Sequence, residues 1–285
     1  MKTVLITGCS DGGIGESLAL EFANRGCHVF ATARKVENMG NLSHVPTITL
    51  LALDVNDKKS IEECRAYVEK STAGRLDFLV QNAGISYTGP AVELDVDVCR
   101  ELMETNFFAV MEMNKAFIKM LVAAKGTILA TGSVAGIIPT PWGSIYHASK
   151  AALHMLLDCM RIELEPLGVK VVTAVTGGVQ SNIVVNATSR FKLLEDTLYA
   201  PVRDMIEKRL NTSQSTGTCQ RPDYARYVVN LVMRPSPPPR IWKGAFATMI
   251  WFLNAFTPYW LIASIMSRRF GMDKMKEAFN KRKIQ

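Results

Sequence analysis

The chain has 285 residues, 48% of them hydrophobic and 21% charged, with a formal net charge of +7. That length and balance exclude a disordered or low-complexity chain and fit one α/β domain with a large core. Basic residues crowd the C-terminus, where Arg268, Arg269, Lys274, Lys276, Lys281, Arg282 and Lys283 face only Asp273 and Glu277. A basic body surface for nucleic acid is therefore not expected.

Six cysteines, Cys9, Cys27, Cys64, Cys99, Cys159 and Cys219, are scattered without metal-ligand spacing or a disulfide framework. They predict no metal site and a reducing compartment, the cytoplasm. No signal peptide is read ahead of the first element.

In chain order, Lys2–Thr7 reads as a short buried strand running into Gly8-Cys9-Ser10-Asp11-Gly12-Gly13-Ile14-Gly15. A helical pattern through Leu18, Leu20, Phe22 and Ala23 follows and ends at Gly26. Strand, glycine-rich turn and helix set a pyrophosphate on a helix N-terminus, because free N–H groups and the dipole favour anions and a Cβ would block their approach. Further strands are expected at His28–Ala33, Thr47–Leu53, Asp77–Gln81, Gly126–Thr131 and Val169–Val175. Helices are expected over Ile61–Lys70, Val98–Ala124 and Tyr146–Pro166. Apolar strands alternating with helices predict a doubly wound parallel sheet of Rossmann type, with its ligand beyond the carboxyl ends of the strands.

Tyr146 and Lys150 stand four residues apart, on one face of the third long helix. An ammonium beside a phenol favours the phenolate, pulling a pKa of about 10 toward neutral. Such a pair can pass a proton to or from a carbonyl oxygen.

Read together, the motifs resemble the short-chain dehydrogenase/reductase family over roughly residues 2–235. They are the glycine loop, Asp54-Val55 after the third strand, Asn82-Ala83-Gly84 after the fourth, Asn106 within a helix, Ser133 after the fifth strand, the Tyr146/Lys150 pair, and Gly177-x-Val179-x-Ser181 after the sixth. Two departures stand out. One residue is added around Asp11-Gly12, and Thr176-Gly177-Gly178 replaces the family's Pro-Gly, which predicts added flexibility at the nicotinamide face. The glycine-loop variant, Ala31-Thr32-Ala33-Arg34 and the tail Ser267-Arg268-Arg269-Phe270-Gly271 most closely resemble fungal NADPH-dependent 1-acyldihydroxyacetone-phosphate reductases.

The resemblance implies an oxidoreductase in which Tyr146 is the acid/base and Lys150 lowers its pKa and holds the nicotinamide ribose. Ser133 donates to the substrate carbonyl, and Asn106 holds a water that links Lys150 to solvent. Cofactor-binding residues are then Gly8, Ser10, Asp11, Gly13, Ile14, Gly15, Arg34, Lys35, Asp54, Val55, Asn82, Ala83, Gly84, Gly177, Val179 and Ser181, together with Tyr146 and Lys150. After the second strand, Ala31-Thr32-Ala33-Arg34-Lys35 offers no carboxylate for ribose hydroxyls. Arg34 and Lys35 offer positive charge for a 2′-phosphate instead, so NADP(H) is the expected cofactor. A non-redox isomerase or cyclase on the same scaffold, or an NADP(H)-sensing binding protein, are the alternatives.

Residues 183–221, with Phe191, Leu193, Leu194, Leu198 and Tyr199, would form a substrate lid. The expected substrate is a hydrophobic ketone or alcohol, lipid-like or a secondary metabolite. Arg190, Lys192 and Arg203 are candidates for a phosphate head group. Residues 245–267 carry no charge and many aromatic residues. Membrane-surface contact, a flap or oligomer contact, and a membrane span are the readings open for that run. The expected division is a catalytic domain over 1–240 and an apolar segment with a basic tail over 241–285. If the segment meets lipid, the cytosolic face of the endoplasmic reticulum or lipid droplets becomes a location. Apolar residues on several faces of the helices over 98–124 and 146–166 predict a homodimer or homotetramer.

Overall fold

The computed structural model describes residues 1–183, 191–210 and 217–282. Seven strands form one parallel sheet: β1 (Thr3–Thr7), β2 (His28–Ala33), β3 (Ile48–Ala52), β4 (Phe78–Gln81), β5 (Thr127–Thr131), β6 (Lys170–Thr176) and β7 (Arg240–Lys243). Their order is β3-β2-β1-β4-β5-β6-β7, so the order reverses between β1 and β4. At that switch the two connecting loops diverge to opposite faces and leave a crevice at the strand ends.

The central strands β1, β4, β5 and β6 are almost wholly buried because both faces are covered. On one face, Leu18 and Phe22 of α1 (Ile14–Asn24) pack with Tyr224, Val228 and Val229 of α7 (Arg221–Val232). On the other, the core joins Val68 of α2 (Lys58–Thr72), Met113 and Phe117 of α4 (Ala109–Ala124), and Leu153 and Leu157 of α5 (Ser144–Leu164). α2 starts at Asp57, whose carboxylate accepts from the Lys59 N–H at 2.9 Å and caps the first turn.

Two expectations change. The helix expected over 98–124 is α3 (Val96–Met103) joined to α4 through a π-turn at Glu104–Phe108. The wider turn inserts a residue and re-aims Asn106 into the interior. β7 was not expected: only Ile241 of its four residues is buried, too short a pattern to read. It pairs with β6 and lies across the boundary expected at residue 240. The uncharged run 245–267 breaks at Thr257-Pro258, where proline cannot continue a helix, into α8 (Ala247–Phe256) and α9 (Tyr259–Arg269). No helix among the described residues is long and apolar enough to cross a membrane.

α8 and α9 are amphipathic. Ile250, Ile262 and Met266 turn inward onto Ile138, Trp142, Val202 of the 3-10 turn Ala200–Val202 and Ile206 of α6 (Arg203–Leu210). Trp251, Phe252, Phe256, Tyr259 and Trp260 remain on the surface. α10 (Met272–Arg282) follows.

Candidate active site

The glycine loop shows how its extra residue is accommodated. Gly12 takes φ +73°, a conformation that side chains rarely adopt. Its N–H donates to the Glu16 carboxylate at 2.7 Å, and Glu16 also accepts from the Asn41 amide at 2.8 Å. Glu16, in the first helical turn, thus reaches past the N-cap Gly13 and braces the loop before it. The Asp11 carboxylate accepts from the Gly40 and Asn41 N–H groups, and its carbonyl accepts from the Asn182 side chain at 2.8 Å. Asp11 therefore holds the loop in shape and does not line the cavity. Gly15 also lies outside the cavity, where a Cβ would stand 2.3 Å from the Gly8 carbonyl oxygen. It lets α1 close on β1. Gly8, Ser10, Gly13 and Ile14 face the cavity, and the α1 N-terminus carries no side-chain cap.

The cavity has a volume of about 450 Å³ and runs along the strand ends. At one end it is lined by Arg34 after β2 and by Asp54 and Val55 after β3. The Asp54 carboxylate accepts from the Asn56 N–H at 3.0 Å. Arg34 enters no ion pair or hydrogen bond among the described residues, whereas Lys35 is exposed and outside the cavity. Asn82, Ala83 and Gly84 line the middle. The Asn82 amide donates to the Thr7 and Gly8 carbonyls at 3.1 and 3.0 Å and accepts from the Thr131 hydroxyl at 3.2 Å. It staples three strand ends together.

Ser133, Tyr146 and Lys150 meet at the far end. Ser133 is fixed by its N–H, which donates to His154 Nε2 at 3.2 Å, and by its hydroxyl oxygen, which accepts from Ala135 N–H at 3.1 Å. The hydroxyl proton stays available. Burial raises the Tyr146 phenol above its ordinary value, opposed by the Ser133 hydroxyl and the Arg209 charge. The net direction is opposite to the depression expected from Lys150. Burial lowers the Lys150 ammonium to about 8; it donates to the Thr131 carbonyl at 2.9 Å and lies 5.8 Å from the Tyr146 ring centroid.

Asn106 sits behind this group, not in the cavity. Its amide donates to the Ile85 carbonyl and the Ser149 hydroxyl and accepts from the Ile85 N–H. With both amide protons used, the side chain positions the Gly84-Ile85 loop and α5.

After β6, Gly177, Val179 and Ser181 line the cavity. The flexibility expected from Thr176-Gly177-Gly178 is taken up by pairing. Gly177 N–H donates to the Lys243 carbonyl and Gly178 N–H to the Ala245 carbonyl, while Ala245 N–H donates back to Gly178. The Thr176 hydroxyl, at the position of the family's proline, lies 2.6 Å from the buried Tyr224 hydroxyl. Of the lid, residues 184–190 and 211–216 lie outside the described residues, Arg190 among them. Lys192 and Arg203 are exposed and away from the cavity. Arg209, which the sequence reading missed, lines it, as do His147 and, from the C-terminal helices, Phe246, Met249 and Arg269. Their only signal in sequence was nearness to segments already suspected.

The donor set fits a dinucleotide. A glycine cradle at an uncapped helix N-terminus suits a pyrophosphate, and a free guanidinium beyond β2 suits a further phosphate. The chain belongs to the short chain dehydrogenase family, whose profile matches residues 2–191. The short-chain dehydrogenase virD of Hypocrea virens is 38% identical over 278 residues, covering 98% of this chain and 96% of that one. The NADPH-dependent 1-acyldihydroxyacetone phosphate reductase of Schizosaccharomyces pombe is 42% identical over 222 residues, covering 77% and 75%. Among solved structures, a short-chain dehydrogenase from Streptomyces avermitilis superposes with a TM-score of 0.76 at 24% identity, covering 97% of both chains. That likeness concerns the fold. The protein is therefore an oxidoreductase of this family.

Proposed function

We propose that the chain reduces the ketone of a hydrophobic, lipid-like or secondary-metabolite substrate with NADPH. The observation that carries this reading is one continuous cavity, with Arg34 at one end, Ser133, Tyr146 and Lys150 at the other, and an apolar wall from α8 and α9 beside them. Arg34, Asp54 and the glycine loop would hold the cofactor, and the name of the Schizosaccharomyces pombe relative supports NADPH. Bound NADPH supplies the hydride. Ser133 and Tyr146 bind the carbonyl oxygen and stabilise the charge that grows there, and Tyr146 gives its proton to that oxygen. A phenol kept protonated by burial is prepared for this direction. Lys150 holds positive charge beneath Tyr146. Loss of the near-ultraviolet absorbance of NADPH with a panel of apolar ketones tests the reading; no loss with any of them, from a folded NADPH-binding protein, sinks it.

The outward faces of α8 and α9 are read as a membrane-surface contact. Phe256, Tyr259 and Trp260 are 66%, 71% and 69% exposed, and α10 places Lys274, Lys276 and Lys281 nearby in sequence. Aromatic residues beside basic ones suit the interface of an anionic bilayer. The same helices wall the cavity, so an apolar substrate would pass from lipid to Tyr146 with little exposure to water. Met111 of α4 and Met155 and Ile162 of α5 are exposed apolar residues on outer helices, which supports a homodimer or homotetramer through those faces. A single-chain mass by light scattering at micromolar concentration would contradict it.

A further inference from the structure

Arg209 is a charged group of the cavity that the proposed chemistry leaves unused. It sits in the last turn of α6 and lines the same cavity as Ser133 and Tyr146. Its Nε is buried without a hydrogen-bond partner. One terminal nitrogen reaches the Thr140 hydroxyl at 3.4 Å, and no carboxylate among the described residues pairs with it. Thr140 is itself engaged, lying 2.9 Å from His147 Nε2, while His147 Nδ1 lies 3.1 Å from the Ile138 carbonyl. His147 is held neutral: burial, helped by the Arg209 charge, lowers it to about 4. It therefore donates from Nδ1 and accepts from Thr140, which leaves Thr140 able to accept from Arg209.

Apolar side chains of Ile138, Leu210, Ile250, Met266 and Phe270 line the same cavity, with Arg269 as a further cation. A guanidinium held in such surroundings without a carboxylate is costly unless something in the cavity completes its hydrogen bonds. Its planar fork matches two oxygens of one oxyanion. Arg209 and Tyr146 line one cavity, and the Arg209 charge acts on the phenol.

We infer that Arg209 is a substrate-recognition residue that binds a carboxylate or phosphate oxyanion carried near the reacting ketone of an otherwise apolar substrate. This rests on the reading of the cavity as a ketone-reducing site. It takes the place of Lys192 and Arg203, which are exposed and away from the cavity, as the candidate for a head-group contact; Arg190 lies outside the described residues.

The test uses the full chain and two matched substrate pairs. One pair is a long-chain 4-ketoacid and its methyl ester; the other is a long-chain ketone bearing a phosphate monoester and its dephosphorylated form. Wild type should favour the anionic member of one pair by roughly tenfold or more in kcat/KM, mainly through KM, and the pair that shows it separates carboxylate from phosphate. Arg209→Gln should collapse that ratio to about twofold, and Arg209→Lys should restore part of it. Calorimetry with the same anionic ketones and no cofactor should show binding that Arg209→Gln weakens to the same extent. No anionic preference in wild type, or an equal loss for both members of a pair in Arg209→Gln, overturns the inference. If no ketone is turned over yet the calorimetric difference holds, the redox reading fails and the anion subsite stands. If neither is seen, both fail.

Discussion

The Lys150 ammonium donates to the carbonyl oxygen of Thr131 at 2.9 Å, anchoring it beneath the ring of Tyr146. That carbonyl ends β5, so the position of the charge is set by the sheet and not only by the spacing on α5. Burial brings Lys150 from 10.5 down to about 8, which makes the ammonium a destabilising element of the empty fold.

Replacing it should show this. A folded-state value depressed from 10.5 to about 8 corresponds to about 3 kcal/mol lost below pH 8. Between those values the unfolded chain binds more protons, so wild-type stability rises with pH through that window. Lys150→Met, measured by thermal melting without cofactor, should melt at or above wild type at pH 7, and the difference should narrow toward pH 10. Its NADPH-induced rise in Tm should be smaller than wild type. A variant that melts far below wild type at pH 7 would contradict this account.

His154 predicts acid sensitivity. It is buried, its Nε2 accepts the Ser133 N–H, and burial lowers it from 6.5 to about 4. The neutral ring is favoured in the fold, so stability falls as pH drops from 6.5 to 4, by up to about 3 kcal/mol from this group. Urea titrations at steps across that range should show the loss in wild type and a shallower slope in His154→Leu. Equal slopes would remove His154 as the cause.

Much of the site was legible because it is local. Tyr146 and Lys150 share a helix face through their spacing, and the glycine loop declares itself between a strand and a helix. What sequence could not give depends on distant partners. Asp11 looks like a loop residue facing a phosphate until Gly40 and Asn41 are seen to take its carboxylate. The ties of the Asn106 amide to Ile85 and Ser149 are likewise invisible in sequence. β7 is four residues with one buried side chain, and it becomes a strand only because β6 offers a free edge. Arg209 carries no local motif and reaches the cavity only by the path of α6.

Arg34 should set the cofactor preference. Arg34→Ala should weaken NADPH binding by about 1.5–3 kcal/mol, the worth of a charge-assisted contact, and NADH binding far less. Fluorescence titration with both dinucleotides checks this, and equal losses would show that Arg34 does not read the 2′-phosphate.

The aromatic ridge of α8 and α9 should bind lipid without supporting the fold. Phe256→Ser/Trp260→Ser removes two exposed side chains, so melting should change little. Cosedimentation with anionic vesicles should fall several-fold relative to wild type. Wild-type binding should weaken with added salt, since the Debye length is about 10 Å at about 0.1 M. Wild-type protein that stays in the supernatant at low salt would end the membrane reading.

The most direct measurement of the central claim is a paired one on Tyr146→Phe, using a ketone that wild type reduces. The phenylalanine keeps the ring and loses only the transferable proton and the hydrogen bond to substrate. Single-turnover rates should fall by about two to four orders of magnitude, while the NADPH Kd should stay within about threefold of wild type. A variant that reduces the ketone at a rate near wild type would show that the proton comes from elsewhere and that Tyr146 is not the acid.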